Sequence, residues 1–491
     1  MWVVGAAIGA CLLALAGGTT SFASAGKRAE ATHPALQLHT YTTPGTLPLR
    51  TSLLDPFTFT GADQATAFKL AQAAGASYIR FIVPWSEVAP ATRPADFDPT
   101  DPASQYYTWG WLDGSVSAIE ANGLTPILDI TTPPSWALAH PGSGSATAPS
   151  ASALGNFATA LALRYDGLHG EPPVHIFQVW NEPNLSMDLN PVNANTYRGM
   201  VNAVANAVHA VDRANLVVAG GLEPFGHKKS KKQSWYSAAP LAYMRSLLCL
   251  SKGTHPHATC HTPVHFDVWA HHPYSYGGPF GRAKNPDDVE LGDLPRMRSL
   301  LQAGIRLHHV VSTHSVQFWV TEFGWDSNPP RRHGVPLALE ARWTAEALYQ
   351  MWRSGVSLGT WFLLQDQRYP SVYQSGLYFH ARLLQDAQPK PMRTAFRFPF
   401  VAYLDRQTVH IWGRDATSNK QLVTIQQRHG ARGGWRAVAR VRTNGWGIFS
   451  ATLRLKAAKT DWVRATAPGS GYSLAFSLTV PKSTGYSPFG R

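Results

Sequence analysis

Between residues 50 and 390 the chain repeats one pattern: a short, continuously apolar run followed by a longer stretch in which Ala and Leu alternate with polar residues. The apolar runs read ASYIRFIVPW, LTPILDI, VHIFQVW, NLVVAGG, FDVWAHH, QFWVTEF and VSLGTWFLL, with an earlier one near Arg50–Leu54. Runs that are apolar at every position describe strands covered on both faces, as parallel strands flanked by helices are. The intervening stretches, such as ADQATAFKLAQAAG, ANTYRGMVNAVANAVHAVD and PLALEARWTAEALYQMWRSG, carry helical spacing, and several end in the Gly that terminates helices. Eight such units predict a (β/α)8 barrel over residues 46–390. A doubly wound sheet, the alternative, would want a Gly-rich turn after the first strand, and the sequence has none. Over residues 391–491 the pattern changes to short, often alternating runs (VHIWGRD, QLVTIQQR, WRAVARVRT, GIFSATLRL) punctuated by Gly, Asn and Ser. That predicts a small all-β, sandwich-like domain. Residues 26–45, polar and rich in Thr and Pro, read as a linker.

Charge strengthens this division. The chain has 491 residues and a formal net charge of +13, yet from Met392 onward it holds 16 Lys/Arg against 3 Asp/Glu, a surplus equal to the whole. The barrel is therefore neutral and the C-terminal domain basic, which argues for two different tasks. At the N-terminus WVVGAAIGACLLALAGG is shorter than a membrane span needs, and Ala23-Ser24-Ala25 fits a cleavage site, so residues 1–25 read as a signal peptide. Lipidation at Cys11, within Ile8-Gly9-Ala10-Cys11, and an uncleaved anchor are the alternatives, and contact with a membrane is expected only under these. Export would leave Cys249 and Cys260, whose even number in an oxidising compartment favours a local disulfide. His255, His257, His261 and His265 crowd the same loop, where a stapled surface loop is preferred to a metal site because no ligand spacing fits.

Two apolar runs end in a glutamate: IFQVWNEPN carries Glu182 and FWVTEFGWDS carries Glu322. In a (β/α)8 barrel the chemistry sits where strands give way to βα loops. Counted along the pattern these are the fourth and seventh strands, close to opposite sides of the mouth. Two carboxyl groups facing across a bound molecule are the equipment of glycoside hydrolysis, one as proton donor and the other as nucleophile or base.

Trp180-Asn181-Glu182-Pro183-Asn184 and Thr321-Glu322-Phe323-Gly324-Trp325 resemble the fourth- and seventh-strand motifs of glycoside hydrolase clan A, in particular the β-xylosidases and α-L-iduronidases of family 39 or a cellulase-like relative in family 5. The resemblance spans roughly residues 46–390 and implies hydrolysis with retention through a covalent glycosyl-enzyme, without cofactor or metal. It implies that Glu182 is the acid/base and Glu322 the nucleophile. Asn181 would bind the sugar 2-hydroxyl, and Arg80 would orient the nucleophile. His272 and Tyr274 would lie near the nucleophile, and Trp361 would form the aromatic floor under the reacting sugar. Trp136 is a further candidate sugar platform.

Each residue also has a plainer reading. Arg80 is equally able to pair with a buried acid such as Asp129, either His271 or His272 is able to face the site, and Trp361 and Trp136 are able to be core. Glu223 and Glu87 are further carboxylates near the mouth, where structural roles are expected. The expected partner is an oligo- or polysaccharide. An acidic one is the sharper version, because His227-Lys228-Lys229-Ser230-Lys231-Lys232 and Arg331-Arg332-His333 fall in loops of the catalytic face. The basic C-terminal domain would touch an anionic cell wall; no nucleic-acid partner is expected. Trp412, Trp435, Trp446 and Trp462 in that domain read as core in most cases. A secreted glycan-binding protein with a non-hydrolytic barrel is the alternative function, and no Gly-x-Ser-x-Gly elbow supports a serine hydrolase.

Overall fold

The computed structural model describes residues 38–481 and Tyr486, without Thr46, 143–146, 231–232, Val372 and 418–419. The expected signal peptide, the lipidation motif, most of the expected linker and Lys231–Lys232 lie outside the described residues. No helix among those described is long and apolar enough to cross a membrane.

Eight parallel strands close into a barrel: β1 (Arg50–Leu54), β2 (Tyr78–Pro84), β3 (Thr125–Thr131), β4 (Ile176–Val179), β5 (Leu216–Leu222), β6 (Val268–His271), β7 (Gln317–Phe323) and β8 (Leu358–Phe362). The helices α1 (Gln64–Ala73), α2 (Gly110–Ala121), α3 (Ala151–Arg164), α4 (Ala194–Val211), α5 (Pro240–Leu247), α6 (Leu294–Arg306), α7 (Leu337–Arg353) and α8 (Pro391–Arg397) alternate with them. Local chemistry sets several helix starts. Ser150 accepts a hydrogen bond from the Ala153 amide and Asn193 from those of Asn195 and Thr196, while Pro240 and Pro391 open their helices where no amide is needed.

Strand alternation sorts the barrel interior into layers. Ile127, Ile176, Val218, Val268, Trp319 and Leu358 form a buried apolar plug. Two residues further along the strands the inward positions turn polar, with Arg80, Asp129 and Gln178 all buried. The plug thus seals one end, and the polar layer faces the mouth where strands end. Against the outer faces of the strands the helices bury a much larger core that includes Phe81, Phe177, Val201 and Leu348.

The C-terminal region contains two sheets. One joins β9 (Phe400–Asp405), β10 (Thr408–Arg414) and β13 (Ile448–Arg454); the other contains β11 (Leu422–Arg428), β12 (Arg436–Arg442) and β14 (Trp462–Ala467). Two expected boundaries need correction. Thr40–Thr42 is not linker: it is a strand pairing in parallel with β12, Thr40 opposite Arg440 and Thr42 opposite Arg442. The Thr43 hydroxyl extends the contact to the Arg442 carbonyl at 2.8 Å. Residues 391–397 are not sandwich but the last barrel helix, packed on α7, so the strands begin at Phe400. The chain enters through the sandwich, builds the barrel, and returns. Trp412 packs, its ring tilted, at 5.5 Å from Tyr349 and 5.7 Å from Trp352 of α7, which makes it junction core.

Cys249 and Cys260 are disulfide-bonded. Among the described residues, His255, His257, His261 and His265 do not converge to metal-ligating distance.

Candidate active site

Glu182 and Glu322 meet at the barrel mouth, as their strand positions predict. With His272 they offer ligand-type atoms that all lie within 4.8 Å of one another. Backbone irregularities bring them there. On β7 the pairing with β8 slips between Val320 and Phe323, so Thr321 and Glu322 both reach the mouth instead of alternating away from each other. After β4 the chain holds two non-glycine residues in the left-handed region, Trp180 (φ 72°) and Glu182 (φ 37°). Such conformations persist where surroundings over-determine them. Here the Glu182 amide donates to the Gly221 carbonyl at 3.2 Å and the Trp180 indole to the Asp188 carbonyl at 3.0 Å.

Arg80 organises the floor. One nitrogen donates to Glu322 Oε2 at 2.9 Å; the other donates to Asp129 Oδ2 and Asn181 Oδ1, each at 2.7 Å. Both sequence readings of Arg80 therefore hold at once: it orients Glu322 and pairs with a buried acid. Tyr274 donates to the second oxygen of Glu322 at 2.5 Å. Two donors, one a full cation, suit an anionic carboxylate. His272, expected near the nucleophile, stands between the two glutamates, its Nδ1 at 3.9 Å from Glu322 Oε2 and closer, at 2.9 Å, to Glu182 Oε1, with Nε2 at 3.1 Å from Thr321 Oγ1. His271 points away, its Nε2 at 2.9 Å from the Val289 carbonyl.

The electrostatics set the state of Glu182 and of its neighbours. Burial pushes the Glu182 carboxyl well above its usual range, and the charges of Asp188, Glu322 and Glu223 push it further, so it keeps its proton. Burial drives His272 well below the usual imidazole range, with Arg80 adding to the effect, so it is neutral. Burial also raises Asp129 and Asp188 to about 6. Glu182, His272 and Glu322 are the kind of atoms that hold metals, but the Arg80 guanidinium already occupies the cationic position beside Glu322.

Trp361 is not the floor. It has no exposed surface, packs against Phe323 and Trp325, and donates its indole N–H to the Ser375 carbonyl at 2.6 Å. Alternation turns it out toward the helices and turns its neighbour Phe362 in. Phe362 joins Leu54, Ile82 and Tyr373 in a small cluster at the mouth. From there an aromatic row runs outward: Tyr373 lies edge-on to Phe362 at 5.2 Å, and Phe57, 49% exposed, stacks on Tyr373 at 6.0 Å. Trp136 is a half-buried strut, edge-on to Trp85 and Phe97, bonded to the Pro90 carbonyl and faced by Arg93.

Sequence reasoning passed over Asp188, Phe57 and Tyr373. Asp188 accepts from Asn181 at 2.9 Å and orients its amide; its signal was proximity to Trp180–Asn184. Phe57 follows the first strand directly, a position where site residues are expected. Glu223, half-buried, caps the Phe225 amide and pairs with His227 at 3.5 Å, whose imidazole it holds above the usual range. Glu87 is exposed and lines a cavity of ≈ 330 Å³ that reaches Arg80. The basic rim is thinner than expected: Arg331 is tied to buried Asp326 at 3.2 Å and His227 to Glu223, which leaves Lys228, Lys229 and Arg332 as its outward cations among the described residues.

The sequence pattern of the family Cellulase (glycosyl hydrolase family 5) matches residues 37–334. No curated protein matches the chain in sequence. Among solved structures, a family 39 glycoside hydrolase from the gut symbiont Bacteroides cellulosilyticus is similar at a TM-score of 0.50 and 16% identity, covering 85% of this chain and 80% of its own. A monomeric β-xylosidase from Caulobacter crescentus is similar at 0.48 and 15%, covering 87% and 98%.

Proposed function

The chain belongs to the cellulase family, glycosyl hydrolase family 5, and is an O-glycosyl hydrolase; from that premise we propose that it cleaves an oligo- or polysaccharide with retention, through a glycosyl-enzyme on Glu322. The observation that carries the reading is the convergence of Glu182 and Glu322 to within 4.8 Å, with Arg80 and Tyr274 both donating to Glu322. Retention asks for carboxyl groups about 5–5.5 Å apart, whereas inversion needs about 6.5–9.5 Å to admit a water.

In the first step a Glu322 oxygen bonds to the anomeric carbon while Glu182 gives its proton to the departing glycosidic oxygen. Glu182 then takes a proton from the water that displaces Glu322. His272 accommodates both states. Neutral imidazole donates from one nitrogen and accepts at the other. Its Nδ1–H donates to Glu182 Oε1 in both states and its Nε2 accepts from the Thr321 hydroxyl, so the Glu182 proton sits on Oε2, free to pass to the departing oxygen. Asn181, held by Arg80 and Asp188, presents its amide to a sugar hydroxyl.

The reading extends to export, supported by the Cys249–Cys260 disulfide, and to an acidic glycan, supported by the remaining cations of the rim. Reducing-end release from a panel of neutral and acidic polysaccharides and aryl glycosides, with Glu182→Gln and Glu322→Gln beside wild type, tests the assignment. The expected result is release by wild type and a loss of at least about 10³-fold in each variant. Release that survives both substitutions would refute it. Proton NMR of the first-formed anomer tests retention, and a stronger salt inhibition with acidic than with neutral polymers tests the rim.

A further inference from the structure

A second cavity, of ≈ 790 Å³, lies at the N-terminal end of the barrel, where it meets the sandwich. Arg50 at the start of β1, Arg393 and Arg397 of α8, and Arg414 at the end of β10 line it, with Tyr78 and Trp446, and no Asp or Glu does among the described residues. Among the described residues none of the four arginines makes an ion pair. Arg393 and Arg397 each hold a carbonyl, of Ala73 at 2.8 Å and of Ser470 at 3.0 Å, which fixes their directions and leaves their charge unmatched. Arg50 lies 4.9 Å over the Trp446 ring and donates to the Tyr78 hydroxyl.

Arg414 is the decisive member. It is 2% exposed, and its Nε and Nη1 have no hydrogen-bond partner. The adjacent Asp415 is turned to Ser470, Thr417 and Gln421. Burial lowers the Arg414 guanidinium to about 10, against the opposing charge of Asp415 and with Arg50 adding to the effect, and it is still fully charged at neutral pH. A buried charge whose nitrogens lack hydrogen-bond partners is costly, and a guanidinium at neutral pH has no neutral form to retreat to. Four guanidinium groups lining one cavity are an arrangement that an oxyanion relieves, through the bidentate bonding that suits arginine to phosphate and sulfate.

We propose that this cavity is an oxyanion site, binding a phosphate or sulfate group either free or as an ester on a polymer, at the opposite end of the barrel from the glutamates. One water takes about 30 Å³, so the volume admits an oxyanion together with the part of the molecule that bears it. The site is independent of the hydrolytic reading: it tethers the enzyme while the mouth remains free.

The test is the thermal midpoint of the full chain in sodium phosphate, sodium sulfate and sodium chloride at matched ionic strength, with isothermal titration of dextran sulfate against uncharged dextran. Phosphate and sulfate should raise the midpoint above chloride by several degrees. Arg50→Gln and Arg414→Met should each weaken binding at least tenfold and leave kcat/KM on a small glycoside unchanged. Arg50 is exposed, so its variant tests the site even where Arg414→Met fails to fold. Tighter binding of dextran sulfate than of free sulfate by tenfold or more identifies the polymer-borne ester; equal binding identifies the free ion. The proposal is overturned if chloride stabilises as well as phosphate, or if Arg50→Gln binds all probes as wild type does. The binding readout needs no turnover, so it stands or falls apart from the hydrolytic assignment.

Discussion

Glu182 illustrates how much of this site resides in the surroundings of single side chains. Its proton is retained because burial and three neighbouring carboxylates disfavour the anion. Loss of that proton should set the alkaline limb of kcat/KM against pH, and the limb should lie well above ordinary glutamate titration. Asp188 contributes negative charge, so Asp188→Asn should lower the Glu182 pKa and move the limb to lower pH by about one unit; an unmoved limb would deny Asp188 that role. The aromatic residues divide the same way. Phe57→Ala removes an exposed ring from the row at the mouth and should raise KM about tenfold with kcat little changed. Trp361→Phe leaves a buried carbonyl without its donor and should cost about 1–3 kcal/mol of stability, measured in denaturant, with KM unaltered. The glutamates were legible because each terminates an apolar run inside a distinctive motif. Trp361 was misplaced by one position because both faces of a barrel strand are apolar, so hydrophobicity does not reveal which of Trp361 and Phe362 points inward. Asp188 was missed because a loop carboxylate becomes part of a site only through the path of the loop.

At the scale of elements, the site depends on small departures from regular strands. Gly221 has φ 62°, and a Cβ there would stand 3.3 Å from His272 Nε2 and 3.2 Å from the Gln178 amide. Gly221→Ala should therefore displace His272 from Glu182 and lower kcat by roughly tenfold or more, while destabilising the fold by about 1 kcal/mol from the backbone strain alone. The Thr40–Thr42 strand offers a second test. Proline at Tyr41 removes an amide from a sheet edge, and Tyr41→Pro should lower the melting temperature by at least about 2 °C; an unchanged midpoint would mean that the strand contributes nothing. Barrel strands were readable as continuous apolar runs, and the sandwich as alternating ones. Three residues that pair with a partner some four hundred positions away leave no local pattern, which is why a linker was expected in their place.

Across the whole molecule, the described carboxylates set an unusual pH dependence. Burial raises Asp326 and Glu290 to about 7 and Asp129 and Asp188 to about 6. A carboxyl with a raised folded-state pKa binds its proton more tightly folded than unfolded. Its contribution is full below the unfolded value and lost as pH rises through the folded one. Buried His271, lowered to about 4 by burial, acts in the other direction below the ordinary imidazole range. Thermal stability should accordingly increase from pH 8 to about pH 6.5, and Asp326→Asn should flatten the slope. A midpoint that is flat or falls over that interval would contradict the assignment.

The pairing of Thr40–Thr42 with β12 also bears on how the chain is made. Thr43 and Arg442 are bonded across 399 positions, and a ribosome releases the first long before the second exists. The leading segment must wait, unpaired, while some three hundred and fifty residues of barrel are synthesised, and a late step of assembly joins it to a strand made about four hundred residues later. A fragment cut between barrel and sandwich would leave an open edge on the side that lost its partner, so a truncated C-terminal region should aggregate where the complete chain remains soluble.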